Sequence, residues 1–191
     1  MYNESNNRQS APINGIHIIY RENRPVCLVR SAASLPDSTM RQAEDGQLLL
    51  LTDMLSQPKT GKHMLHLIQT QLPDVLADAD QYDIQLSPLK KDTILYDTET
   101  DSLLPLAEEN TARGNNDETL KDYGRLLQQA MDATGIHIGY LRRIARQCQD
   151  GTLTTPGELQ LALERKNSNA IYATVILVIL ILCTLLALPN I

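Results

Sequence analysis

Residues 170–189 read AIYATVILVILILCTLLALP, a run of twenty without a charge at neutral pH. As a helix rising about 1.5 Å per residue it spans about 30 Å, the thickness of a bilayer's hydrocarbon core. A dozen Leu, Ile and Val side chains lie in it. Each contributes roughly −0.3 to −0.6 kcal/mol to insertion, which outweighs the two threonines. The hydroxyls of Thr174 and Thr184 can bond back to helix carbonyls. A buried core helix of this length would have to be surrounded on every side, which a chain of 191 residues can hardly supply.

Charge sets the orientation. Arg165 and Lys166 precede the run, Tyr172 sits where an interfacial aromatic belongs, and no cation follows. The positive-inside bias therefore keeps the N-terminal side cytosolic. The first forty residues hold no cationic-then-apolar leader. The expected topology is that of a tail-anchored, single-pass membrane protein.

The remaining residues suffice for one modest core. With no Trp, no Phe and 7 Tyr, that core must be built from Leu, Ile, Val, Ala and Met, which suits helices carrying apolar stripes. A net charge of −6 argues against wholesale nucleic-acid binding, because that affinity rests on cations neutralising phosphates. Cys27, Cys148 and Cys183 have neither disulfide-framework nor zinc spacing. No cofactor is indicated.

Residues 1–14 are polar and are expected to be disordered. GIHIIY at 15–20 and VCLVR at 26–30, separated by RENRP, predict a β-hairpin. Ser34-Leu35-Pro36-Asp37 resembles a helix start, with Asp37 or Ser38 as cap, and Leu48, Leu49, Leu51, Met54 and Leu55 fall on a helical stripe. Pro58 and Gly61 punctuate it before the helical pattern resumes over 62–72, and Pro73 opens a further short helix. The stretch 82–95 is ambiguous, with TILY at 93–96 a candidate strand. Residues 15–96 are thus expected to form an α+β domain. Residues 97–117, rich in Asp, Glu, Asn and Thr, are expected to be an acidic linker. A juxtamembrane helical unit over 118–166 follows, with helices at 118–133, 136–147 and 156–166. Thr154 or Thr155 supplies the last N-cap ahead of Pro156.

Few motifs carry chemistry. Pro58-Lys59-Thr60-Gly61-Lys62 falls short of a phosphate loop, because Ser56 and His63 stand where Gly and Ser/Thr are needed. His63 and His66 are three apart on a helix and lack the further ligands a metal demands. His17 and His137 lie beside apolar residues. No serine sits in a nucleophile elbow, and Cys27 lies in an apolar strand that would mute its thiol. Two acidic dileucine strings occur, Glu44 ahead of Leu48-Leu49 and Glu99 ahead of Leu103-Leu104, the second in the more exposed-looking context. A coiled-coil fusion protein of the SNARE type also ends in such an anchor, but Gly135, Gly139, Gly151, Pro156 and Gly157 break the heptads it requires.

TGIHIGYLRRIAR at 134–146 resembles the second half of a phage-repressor-type helix-turn-helix. The resemblance implies Gly135 in the turn and Ile136, Leu141 and Ile144 facing inward. His137, Ile138, Tyr140, Arg142 and Arg143 would face a groove and its phosphates. The match covers about twenty residues and departs from the pattern at Met131, where such motifs carry Ala. Residues 118–133 also read as one continuous helix, and the seven cations between 117 and 166 are balanced by seven anions.

These features predict an α+β, mostly α cytosolic domain with an N-terminal β-hairpin and one C-terminal transmembrane helix. The expected role is a non-enzymatic adaptor, assembly or regulatory factor that holds a protein partner at the cytosolic face of a membrane. Arg142, Arg143 and Arg146 are the candidate contact residues, and Arg165, Lys166 and Tyr172 flank the membrane. A membrane-tethered helix-turn-helix regulator is the alternative; nucleic acid is the less favoured partner.

Overall fold

The computed structural model describes residues 17–21, 24–29, 39–42, 47–82, 84–107 and 116–164. The fold is α+β and opens on the expected hairpin. Strand β1 (His17–Arg21) pairs antiparallel with β2 (Arg24–Val29). The register slips between Ile19 and Tyr20, so Val26 has no partner of its own. That bulge lets Val26 and Cys27 both enter the core beneath the helices, although strict alternation would separate them.

On its other side β1 pairs with β3 (Thr39–Gln42), giving the order β2-β1-β3. A second sheet, β4-β5-β6, comprises Leu48–Leu50, Ile94–Asp97 and Ser102–Pro105, all antiparallel. A parallel bridge from Leu28 to Leu106 and a backbone hydrogen bond from Ala107 N to Leu28 O join the two sheets. The strands bury both faces. Ile19, Cys27, Val29, Ile94 and Leu103 join the large core shared with the helices. Ile18, Leu28, Leu48, Leu95 and Leu104 form a smaller cluster of their own.

Three segments differ from the sequence reading. Residues 39–42, placed after an expected helix cap at Asp37 or Ser38, are a strand. Leu48 and Leu49, assigned to a helical stripe, lie in β4, and helix α1 (Leu51–Leu55) begins only after them. The start of the expected acidic linker is a hairpin: its polar residues at 98–101 turn the chain between β5 and β6. A linker composition and a hairpin-turn composition are alike, and only pairing of Leu103 and Leu104 with Tyr96 and Leu95 distinguishes them. Both leucines are fully buried, so the dileucine string behind Glu99 is inaccessible in the folded chain.

The helices follow their apolar periods. Helix α2 (Pro58–Thr70) has Pro58 in its first turn, where the missing N–H costs nothing, and buries Met64, Leu65, Leu67 and Ile68. Pro73 opens α3 (Leu72–Gln81) in the same way. Helix α4 (Asn116–Thr134) turns Leu120, Tyr123, Leu127 and Ala130 inward, and α5 (Gly139–Gln149) buries Leu141, Ile144, Ala145 and Cys148. Helix α6, residues 156–164, adds Leu159 and Leu163. Its start is a capping box: Thr155 Oγ1 accepts from Glu158 N, while Glu158 Oε2 accepts from the Thr154 and Thr155 N–H groups. The described helices α1 to α6 meet in one core, so residues 118–164 pack with the N-terminal part.

The expected disorder at 1–14, the span at 170–189, and its flanks Arg165, Lys166 and Tyr172 lie outside the described residues. Among the described residues no helix is long and apolar enough to cross a membrane.

Cys27 and Cys148 are buried thiols. Burial, helped by the charge of Asp150, pushes the Cys148 thiol up to about 12. In a Cys183→Ser chain, a disulfide reagent at mildly alkaline pH is therefore expected to leave both thiols unmodified until denaturant is added. Rapid labelling of either in the native protein would contradict this packing.

Candidate functional site

Helix α4 ends in a Schellman motif. Ile136 N donates to Met131 O at 3.1 Å and Gly135 N to Asp132 O at 3.3 Å, closing the last turn. Gly135 takes φ +67°, which a side chain would strain. The turn then delivers Ile138 as the extended residue before α5. The two helices cross closely at Gly124: a Cβ there would lie 2.5 Å from Ala145 O and 2.9 Å from Cys148 Cβ. Nothing but glycine lets α4 approach α5 so far, and the contact fixes which side of α5 faces outward.

That side carries Gly139, Arg142, Arg143 and Arg146, spaced i, i+3, i+4 and i+7, all exposed. No acidic residue occurs in α5. Among the described residues none of the three guanidinium groups makes an ion pair or a side-chain hydrogen bond. The contrast with α4 is plain: its Arg125 is held by Asp122 at 2.7 Å and by Glu118 at 3.6 Å. Only Arg146, in the last turn, suits the helix dipole; Arg142 and Arg143 lie near the positive end and oppose it. The stripe is therefore not there to stabilise its helix.

The structure keeps part of the helix-turn-helix resemblance and corrects the rest. Gly135 is in the turn, with Leu141 and Ile144 inward. His137 is exposed, its Nδ1 4.0 Å from Asp132 Oδ1. Ile138 and Tyr140, expected to face a groove, are half-buried and pack on the core. The Tyr140 hydroxyl accepts a hydrogen bond from Gln69 Nε2 of α2, and burial raises its pKa. Two of the positions that would read a groove are thus spent on packing.

A second polar cluster has no local sequence signal. Asp101, in the β5–β6 turn, has φ +52°. Its Oδ1 lies 2.6 Å from His63 Nε2 and accepts the Tyr96 hydroxyl at 2.8 Å. Gln71 braces the same turn, donating to Asp101 O and accepting from Leu103 N. Burial raises the Asp101 pKa, but the hydrogen bonds from His63 and Tyr96 outweigh it and hold the carboxyl below its usual range. Burial and the bond to Asp101 push the Tyr96 phenol up to about 12. The arrangement clasps the turn to α2. His63 came into view only as a neighbour of His66; its real partner is 38 residues away. Among the described residues no three His, Cys, Asp or Glu side chains converge as a metal site would need.

Neither family models, nor curated proteins, nor solved structures give a match to this chain.

Proposed function

We propose that the chain is a tail-anchored, single-pass membrane protein and a non-enzymatic adaptor or assembly factor. Its helical module recruits a protein partner to the cytosolic face of the membrane. The anchoring half of this reading rests on residues 170–189 and the cations ahead of them. The recruiting half rests on one observation: three exposed arginines share a face of α5 and have no counter-charge among the described residues. Arginine is enriched where binding energy concentrates, because its rigid planar fork loses little entropy per bond. Confinement to a membrane raises effective concentration, so a small stripe of modest affinity suffices.

Proximity labelling from the N-terminus of the full chain in its native host tests this reading. The expected outcome is a set of labelled neighbours that an R142E/R143E/R146E chain loses while staying in the membrane fraction. An unchanged set would remove the stripe from recruitment.

The glycine turn joining α4 to α5 favours a second reading, a membrane-tethered helix-turn-helix regulator. It predicts duplex binding by the detergent-solubilised chain at low salt that falls steeply as salt rises. The adaptor reading predicts no binding even at low salt.

A further inference from the structure

We infer that the α5 stripe recognises a carboxylate-bearing helix of the protein partner, an inference that rests on the adaptor reading above. Arg142 and Arg146 are one turn apart, about 6 Å along the axis, and Arg143 lies between them. Acidic side chains at i and i+4 of a second helix repeat the same axial spacing, so each can meet a guanidinium in a forked pair. The stripe opens at Gly139, where a Cβ would meet nothing within 4 Å, so a partner's backbone can come close.

Competing anions fit less well. Adsorption to acidic lipid builds on clusters of about four to eight Lys or Arg. Three arginines on a chain of net charge −6 fall short of that. A duplex presents one negative charge per roughly 1.7 Å, which the same net charge repels. Ile138 and Tyr140, which would have to read it, are packed on the core. A short acidic helix concentrates a few carboxylates where the arginines are and leaves the rest of the chain's acidic surface unopposed.

The experiment uses the full chain in phosphatidylcholine nanodiscs and two labelled, alanine-based helical peptides of equal composition. One aligns its glutamates at i, i+4; the other scatters them around the helix. Fluorescence anisotropy is expected to show the aligned peptide binding at least about tenfold tighter. R142A/R143A/R146A should abolish that preference with an unchanged circular dichroism spectrum. R142E/R146E should lose the glutamate peptide and gain one with aligned lysines, a swap that a misfolded variant could not show. Equal affinity for both peptides, or indifference to the triple substitution, overturns the inference. So does protection of α5 from hydrogen exchange that appears only with roughly one-third phosphatidylserine in the discs. Alkaline flotation reports on the anchor separately. A chain that washes off lipid yet discriminates the peptides loses the membrane reading alone; one that stays embedded without discriminating loses this inference alone.

Discussion

Tyr123→Ala is expected to cost about 3–5 kcal/mol of unfolding free energy, a large share of the ~5–15 kcal/mol typical of a domain. The chain has no Phe or Trp, and Tyr123 is the largest fully buried side chain among the described residues. Its ring lies among the leucines of the large core, and its hydroxyl donates to Ile68 O of α2 at 3.2 Å. Burial raises the phenol's pKa far above its usual value, so the donor stays protonated at any working pH. No aliphatic neighbour can refill a cavity of that size without leaving its rotamer. Tyr123→Phe keeps the ring and loses only the hydrogen bond, an expected cost of about 1 kcal/mol. Urea denaturation of the full chain in nanodiscs, followed by circular dichroism, separates the two losses. An alanine variant with the wild-type midpoint would mean that α4 is not keyed to α2 through this ring.

The arginine face of α5 was legible because it follows from the helical period, which needs no partner to be seen. The first hairpin was legible for the same reason, as two short apolar runs around a turn. What each face packs against was not. The helix-turn-helix resemblance put Tyr140 outward, whereas its hydroxyl is held by Gln69, 71 residues earlier.

The acidic stretch after Tyr96 misled for a related reason. Asp97 is fully buried, yet its carboxylate is satisfied by Gln47, the Glu99 N–H and the Thr100 hydroxyl. Composition registers six polar residues in a row, 97–102, and cannot see that several of them bond to one another. A linker would leave those groups to water. Here they close a hairpin that seats Leu103 and Leu104 in two different cores. The clasp of His63, Tyr96 and Asp101 could emerge only once that hairpin existed, since it joins a helix to a turn.

Replacing Leu177 and Leu180 together by arginine is expected to release the chain from membranes. Both residues lie within the run 170–189, away from either end, and in the proposed span a long side chain there would not reach the headgroups. The dozen branched aliphatic residues favour insertion by about 4–7 kcal/mol in total. Each Leu→Arg change reverses roughly 3–4 kcal/mol of that, so one substitution leaves the span near balance and two leave it unfavourable. After alkaline carbonate treatment and flotation, the unaltered chain should rise with lipid, Leu180→Arg should divide between fractions, and the double variant should stay at the bottom. Leu180→Ala, which removes bulk without adding charge, should float as the unaltered chain does. The charged variant and the alanine variant differ in desolvation cost far more than in helix propensity. Flotation of the double variant with lipid would therefore mean that something other than burial of this run in hydrocarbon holds the protein to the membrane.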